Sequence, residues 1–131
     1  MDAAETQGER KLRITRDALD FILHASKSTH PDEFAGLLRN NDEGVVYEVL
    51  VIPQTVYGGS FSSINLHNVG YTSRHSGSVH SHPGRSALPS RADLAFFRVT
   101  GDTHIIAAYP FTEDSVRAYD GKGNRLLIEV V

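Results

Sequence analysis

His80-Ser81-His82-Pro83 sets two imidazoles one residue apart, and after ten further residues comes Asp93. Three metal-capable side chains thus fall within fourteen positions. Residues 77–82 read as a short strand stopped at Pro83. Alternate strand residues share a face, so His80 and His82 point together while Val79 and Ser81 point away, Val79 into the core. Residues 84–89 form a compact loop. Residues 90–100 read as a helix with Ser90 as its N-cap. Asp93 shares a face with Phe96 and Phe97, three and four positions on, and so points inward. An inward carboxylate needs a partner, and a divalent ion held by the two histidines supplies one. Three protein ligands plus a water is the layout of an open, catalytic zinc site. The chemistry available there is attack on a polarised carbonyl, because zinc lowers the pKa of water to about 7. A structural reading stands beside it. Ser90-X-X-Asp93 is close to a capping box, and His-X-His on a strand can be coincidental; Asp93 can also serve cap and site at once.

The remaining elements must position this group. Leu12 to Ile14 fits a first strand. Thr15 caps a helix reaching about Lys27, with Ala18, Leu19, Ile22, Leu23 and Ser26 on one stripe. Residues 34–38 form a strand, ended by a turn over 40–44, and 45–52 form a strand rich in β-branched residues. Residues 53–60 read as loop, 61–66 as strand, and 67–76 as either a short helix or an open loop. A buried strand spans 104–109. Residues 115–119 and 125–131 form a hairpin around Asp120-Gly121-Lys122-Gly123-Asn124. The sum is an α/β layer architecture, a mixed β-sheet flanked by helices.

Composition narrows the class. At 131 residues the chain is one domain, placed at 11–131 behind a mobile segment 1–10. Sixteen acids against thirteen bases give a net charge of −3, so no basic nucleic-acid surface is advertised. There is no cysteine, which excludes disulfides and a thiol nucleophile. No apolar run reaches membrane-span length, and the polar N-terminus lacks a signal-peptide core, so the default location is cytoplasmic. Of the other histidines, His24 reads as a partly exposed helix residue, His30 as the end of the helix region and His104 as structural. His67, His75, Tyr57, Phe61 and Tyr71 either line a cleft or simply pack.

The segment HSHPGRSALPSRAD resembles the signature of the JAMM (MPN-plus) zinc metalloproteases: His-X-His-Pro, a short loop, Pro-Ser, two residues, Asp. The stretch His30-Pro31-Asp32-Glu33-Phe34-Ala35-Gly36-Leu37-Leu38 fits the upstream element of that family, with Glu33 at the matching acid. The likeness runs from about Leu12 to the C-terminus and is greatest to small, single-domain archaeal members. It implies a cytidine-deaminase-like JAB/MPN domain in which His80, His82 and Asp93 hold one Zn²⁺. It implies further that Glu33 is the general base and acid toward the attacking water, and that Ser90 donates a hydrogen bond to the tetrahedral intermediate. The implied reaction is cleavage after the C-terminal Gly-Gly of a ubiquitin-like modifier or its conjugates, with the tail lying extended beside a sheet edge. The chain is too short to carry the full insertions by which eukaryotic relatives choose a linkage, which favours a small modifier or a ubiquitin-like sulfur carrier. Three alternatives stand beside this: the same chemistry on a sulfur-carrier terminus, a non-catalytic interaction scaffold, and a DNA-associated RadC-like protein. A homodimer is compatible with all of them.

Overall fold

Strand β1 (Lys11–Ile14) buries Leu12 and Ile14 and exposes Lys11 and Arg13, which alternate with them, a pattern that seats it on a core. The computed structural model describes residues 10–53 and 76–131. Thr15 then caps α1 (Arg16–Thr29), its Oγ1 accepting the Ala18 N–H at 3.1 Å. The buried stripe of α1 is Ala18, Leu19, Ile22 and Ser26. The helix runs to Thr29 rather than Lys27 because the His30 N–H still reaches the Ser26 carbonyl at 3.2 Å; Pro31, which has no N–H, follows.

Strands β2 (Ala35–Asn40) and β3 (Val45–Val51) form an antiparallel hairpin. Its turn is 41–44, because Asn40 stays in the ladder opposite Val46. The Asn41 side chain closes the turn, accepting the N–H groups of Glu43 and Val45 at 2.9 and 3.0 Å. Strand β4 (Gly77–His82) lies antiparallel to β2, with Ala35 opposite His80. After helix α2 (Arg91–Thr100), strand β5 (Thr103–Ala108) returns parallel to β4, completing a βαβ crossover. β5 ends one residue earlier than the sequence indicates. Tyr109 turns out to solvent ahead of Pro110, which has no N–H to continue the ladder. β6 (Val116–Tyr119) and β7 (Arg125–Val130) close a hairpin around Asp120, whose Oδ1 accepts the N–H groups of Lys122 and Asn124, both at 2.9 Å.

The strand order is β1-β3-β2-β4-β5-β6-β7, with β1 also parallel to β7, so the mixed sheet curls until its outer strands share β1. Arg10, read from the sequence as part of the mobile segment, belongs to this closure. Its carbonyl accepts the Leu127 N–H at 3.2 Å, and its guanidinium meets Asp102 and Asp120.

Side-chain alternation divides the core between the two faces of the sheet. One cluster gathers Leu19 and Ile22 of α1 with Leu38, Val79 and Ile105. The other gathers Phe96 and Phe97 of α2 with Ala35, Leu37 and Ile106. The sheet is therefore sandwiched between its helices. Where β4 and β5 begin side by side the approach is too close for a side chain: a Cβ on Gly77 would lie 1.5 Å from the Thr103 carbonyl oxygen. Gly101, at φ +138°, ends α2 against the Ser76 carbonyl. No helix among the described residues is long and apolar enough to cross a membrane. The expected loop 53–60 (beyond Pro53), strand 61–66, segment 67–76 (up to His75) and mobile segment 1–9 lie outside the described residues, as do Tyr57, Phe61, His67, Tyr71 and His75.

Candidate metal centre

Alternation along β4 sends Val79 to the α1 face and leaves His80 and His82 on the face covered by α2. Asp93 comes from the first turn of that helix. Ser90 caps it, its Oγ accepting the Asp93 N–H at 3.0 Å, while Asp93 Oδ2 accepts the Ser90 N–H at 2.9 Å. This reciprocal box is the structural role considered from the sequence, and the same carboxylate also faces the histidines. Cap and cluster share one side chain.

Two imidazole nitrogens and both oxygens of one carboxylate converge. His80 Nε2 lies 3.1 Å from His82 Nε2 and 3.4 Å from Asp93 Oδ1, and His82 Nε2 lies 3.3 Å from Asp93 Oδ2. Tetrahedral zinc with bonds of about 2.0–2.2 Å holds its ligand atoms about 3.3–3.6 Å apart. The two histidine nitrogens, 3.1 Å apart, are within a few tenths of an ångström of that spacing, and one ligand atom from each of the three residues lies within 4.8 Å of the other two, close enough to serve one small ion. The donor chemistry agrees. His82 Nδ1 donates to the Ser86 carbonyl at 2.9 Å, which leaves the Nε2 lone pair directed at the cluster. Two imidazole nitrogens 3.1 Å apart with a carboxylate between them suit a cation far better than they suit one another.

Electrostatics point the same way. Burial opposes ionisation of Asp93, yet hydrogen bonds from His80 and His82 and the Ser90 N–H hold its carboxyl far below the usual carboxylate range. Burial likewise opposes protonation of His82, but the Asp93 hydrogen bond, the Ser86 carbonyl and the nearby charges of Asp93 and Glu33 raise its pKa. The two shifts are two sides of one coupling, in which the Asp93 carboxylate and positive charge on the neighbouring imidazole stabilise each other. His80 is buried and His82 partly open, so the cluster is reached from the His82 side.

Glu33 arrives by strand register. The Phe34 N–H donates to Ser81 Oγ at 2.8 Å, and the Ser81 N–H donates to the Phe34 carbonyl at 2.9 Å. These bonds carry the β2–β4 pairing beyond the Ala35–His80 pair, and the next step sets Glu33 opposite His82. Glu33 is half-buried there, and its charge reaches the His82 ring. Ser90 is exposed beside the cluster. Its oxygen serves the cap, and no acceptor among the described residues takes its hydroxyl hydrogen.

Other residues support the centre without a strong sequence signal. The Tyr119 hydroxyl donates to the Ala87 carbonyl at 2.7 Å, which ties down the 84–89 loop that supplies the Ser86 carbonyl. His104 is fully buried and stacks on Phe97 at 4.2 Å. Its Nε2 donates to the Gly101 carbonyl at 2.9 Å, and its Nδ1 meets the Ser78 hydroxyl at 2.8 Å. Burial pushes its pKa down to about 4, so it is a neutral framework residue, as its place in the sequence suggested. His24 is exposed on α1. His30 packs on Tyr109 and Phe111 at 5.1 and 5.3 Å between ring centres.

The chain resembles proteins already described. The family model for prokaryotic homologs of the JAB domain matches residues 15–120. A probable metalloprotease from Haloferax volcanii is 40% identical over 119 residues, which is 84% of this chain and 73% of the relative. A solved structure described as JAMM, a metalloprotease-like zinc site in the proteasome and signalosome, superposes with a TM-score of 0.72 at 37% identity, covering 92% of this chain and 97% of its own. A JAB1/MPN domain protein from Archaeoglobus fulgidus gives a TM-score of 0.70 at 37% identity, covering 92% and 96%. A protein from Desulfitobacterium hafniense shares the fold at 17% identity, with a TM-score of 0.66 over 92% of each chain.

Proposed function

The chain belongs to the JAMM family, as a prokaryotic homolog of the JAB domain, and on that footing we propose that it is a zinc-dependent isopeptidase that cleaves after the C-terminal Gly-Gly of ubiquitin-like modifier proteins. The observation that carries the hydrolytic reading is the convergence of His80, His82 and Asp93 at 3.1–3.4 Å with Glu33 in register beside them. Family membership supports the choice of substrate class. Residues 11–131 act as one domain in this reading, in the cytoplasm and on protein rather than nucleic acid.

His80, His82 and Asp93 hold the ion. Zinc bound there supplies Lewis acidity, polarising the scissile carbonyl and lowering the pKa of water to about 7. Glu33 accepts a proton from the attacking water at its carboxylate and returns it to the departing amine nitrogen. Ser90 donates its hydroxyl hydrogen to the carbonyl oxygen as that oxygen gains charge, a bond strongest in the transition state. The Ser86 carbonyl keeps the His82 proton on Nδ1, and the Ser90 N–H keeps the Asp93 carboxylate ionised and oriented. The convergent donors favour an enzyme over a scaffold that only binds ubiquitin-like proteins.

The test is cleavage of a ubiquitin-like protein joined through its Gly-Gly terminus to a lysine side chain. Wild type is compared with chelator-treated wild type and with Glu33→Gln, and zinc content is measured for each. Cleavage by untreated wild type alone, with zinc retained in Glu33→Gln, is the expected result. Full activity in Glu33→Gln would remove the proposed base. Cleavage of a sulfur-carrier terminus without cleavage of the lysine conjugate would move the chemistry to that substrate.

A further inference from the structure

Across the 84–89 loop from the metal centre lies a second concavity of about 460 Å³, with walls that include Arg85, Arg117, Arg125, Asp114, Leu88 and Tyr109. Three arginines against one aspartate make it locally positive, although the chain as a whole carries −3. Arg10, Lys11, Arg13, Arg16 and Arg39 are each ion-paired, whereas Lys27, Arg91, Arg98 and Lys122, scattered outside the groove, form no ion pair among the described residues. None of the groove's three arginines forms an ion pair among the described residues. Arg117 is steadied by main-chain carbonyls, donating to Asp114 and Val116 at 2.7 and 2.8 Å. Arg85 lies over the Tyr109 ring at 5.0 Å. Carbonyls and an aromatic face orient a guanidinium without neutralising it, so the charge is presented to whatever enters the groove.

The groove is also contiguous with the chemistry. Consecutive carbonyls of one loop serve the two sites: Ser86 accepts from His82, and Ala87 accepts from Tyr119, which lines the groove. A polypeptide whose scissile bond lies at the metal centre can cross this loop and enter the groove with little further chain.

We propose that this groove is a docking site for an acidic, extended segment of the protein substrate, adjoining the scissile bond. Calling the occupant substrate rests on the hydrolase reading above; the preference for acidic peptide rests on the groove alone. The three arginines suit peptide carboxylates, and the Leu88 side chain, 72% exposed at the rim, suits aliphatic side chains. A phosphate backbone would leave the apolar rim of Leu88 and Tyr109 unused.

The experiment uses the full chain loaded with zinc and a fluorescein-labelled dodecapeptide of alternating Glu and Gly, read by anisotropy at low and high salt. A Gln-Gly peptide and a labelled single-stranded oligonucleotide are the controls. Wild type is compared with the Arg117→Gln/Arg125→Gln double variant, with zinc content and thermal unfolding measured to show that both are folded. The expected result is saturable, salt-sensitive binding of the Glu-Gly peptide only, weakened about fivefold in the double variant. Equal binding of the Glu and Gln peptides, an unchanged affinity in the double variant, or a preference for the oligonucleotide would overturn the proposal. The two readings fail separately. Peptide binding without conjugate cleavage supports the groove and refutes the hydrolase; cleavage without charge-selective binding does the reverse.

Discussion

Ser81→Ala is the sharpest test of how the site is assembled. Ser81 sits between the two histidines and points away from the cluster, so by position alone it looks replaceable. Its hydroxyl oxygen is instead the acceptor for the buried Phe34 N–H at 2.8 Å, and Ser81 itself is 1% exposed. Alanine removes the acceptor and leaves no room for water to replace it. A buried N–H without a partner costs about 1–3 kcal/mol, and the small lost volume adds little. For a domain of this size that corresponds to a fall in Tm of roughly 4–12 °C. The measurement is urea and thermal unfolding of chelator-treated protein, so that metal binding does not contribute. Because Phe34 follows Glu33 directly, turnover should fall as well while zinc content is kept. A stability within about 0.5 kcal/mol of wild type would refute the reasoning, since Ser81 would then not be what docks the Glu33 segment onto β4.

Asp93→Asn should keep α2 capped, because an amide oxygen still accepts the Ser90 N–H, yet lose zinc; circular dichroism and metal analysis separate the two outcomes, and stoichiometric zinc would remove Asp93 from the ligand set. Ser90→Ala should cost about 1 kcal/mol through the cap and lower kcat by a few kcal/mol of activation free energy; a stability loss with unchanged kinetics would leave Ser90 only a cap. His104, with a folded pKa near 4 against 6.5 in the unfolded chain, makes the folded state bind fewer protons. Its contribution is therefore complete above pH 6.5 and is lost as pH falls from there toward 4, amounting to about 2 kcal/mol between pH 7 and pH 5. An NMR titration of its ring checks this, and a midpoint at or above 6.5 would refute it.

The centre was largely legible because its geometry is local. Strand alternation fixes the shared face of His80 and His82, and the cap at Ser90 fixes the turn on which Asp93 lies. The boundaries that moved, at Thr29, Asn40 and Ala108, did so where a single further hydrogen bond or a following proline decided the end. What the sequence hid was non-local or carried by main chain. The task of Ser81 depends on pairing with Phe34, 47 positions away. The Ser86 carbonyl that orients His82 has no side-chain signature. Tyr119 matters only because β6 is placed where its hydroxyl reaches Ala87.

The antiparallel register of β2 against β4 gives the molecule two unlike ends. Ala35 pairs with His80 at the metal centre, while the 41–44 turn lies beyond the other end of β2, roughly 17 Å of strand away. Asp42 is exposed on that turn, and the sequence contains no cysteine. An Asp42→Cys variant would therefore carry one thiol, remote from the cleft, by which the protein can be tethered to a bead or given a dye. Every tethered molecule would then present the same face to solution, with its catalytic edge turned outward.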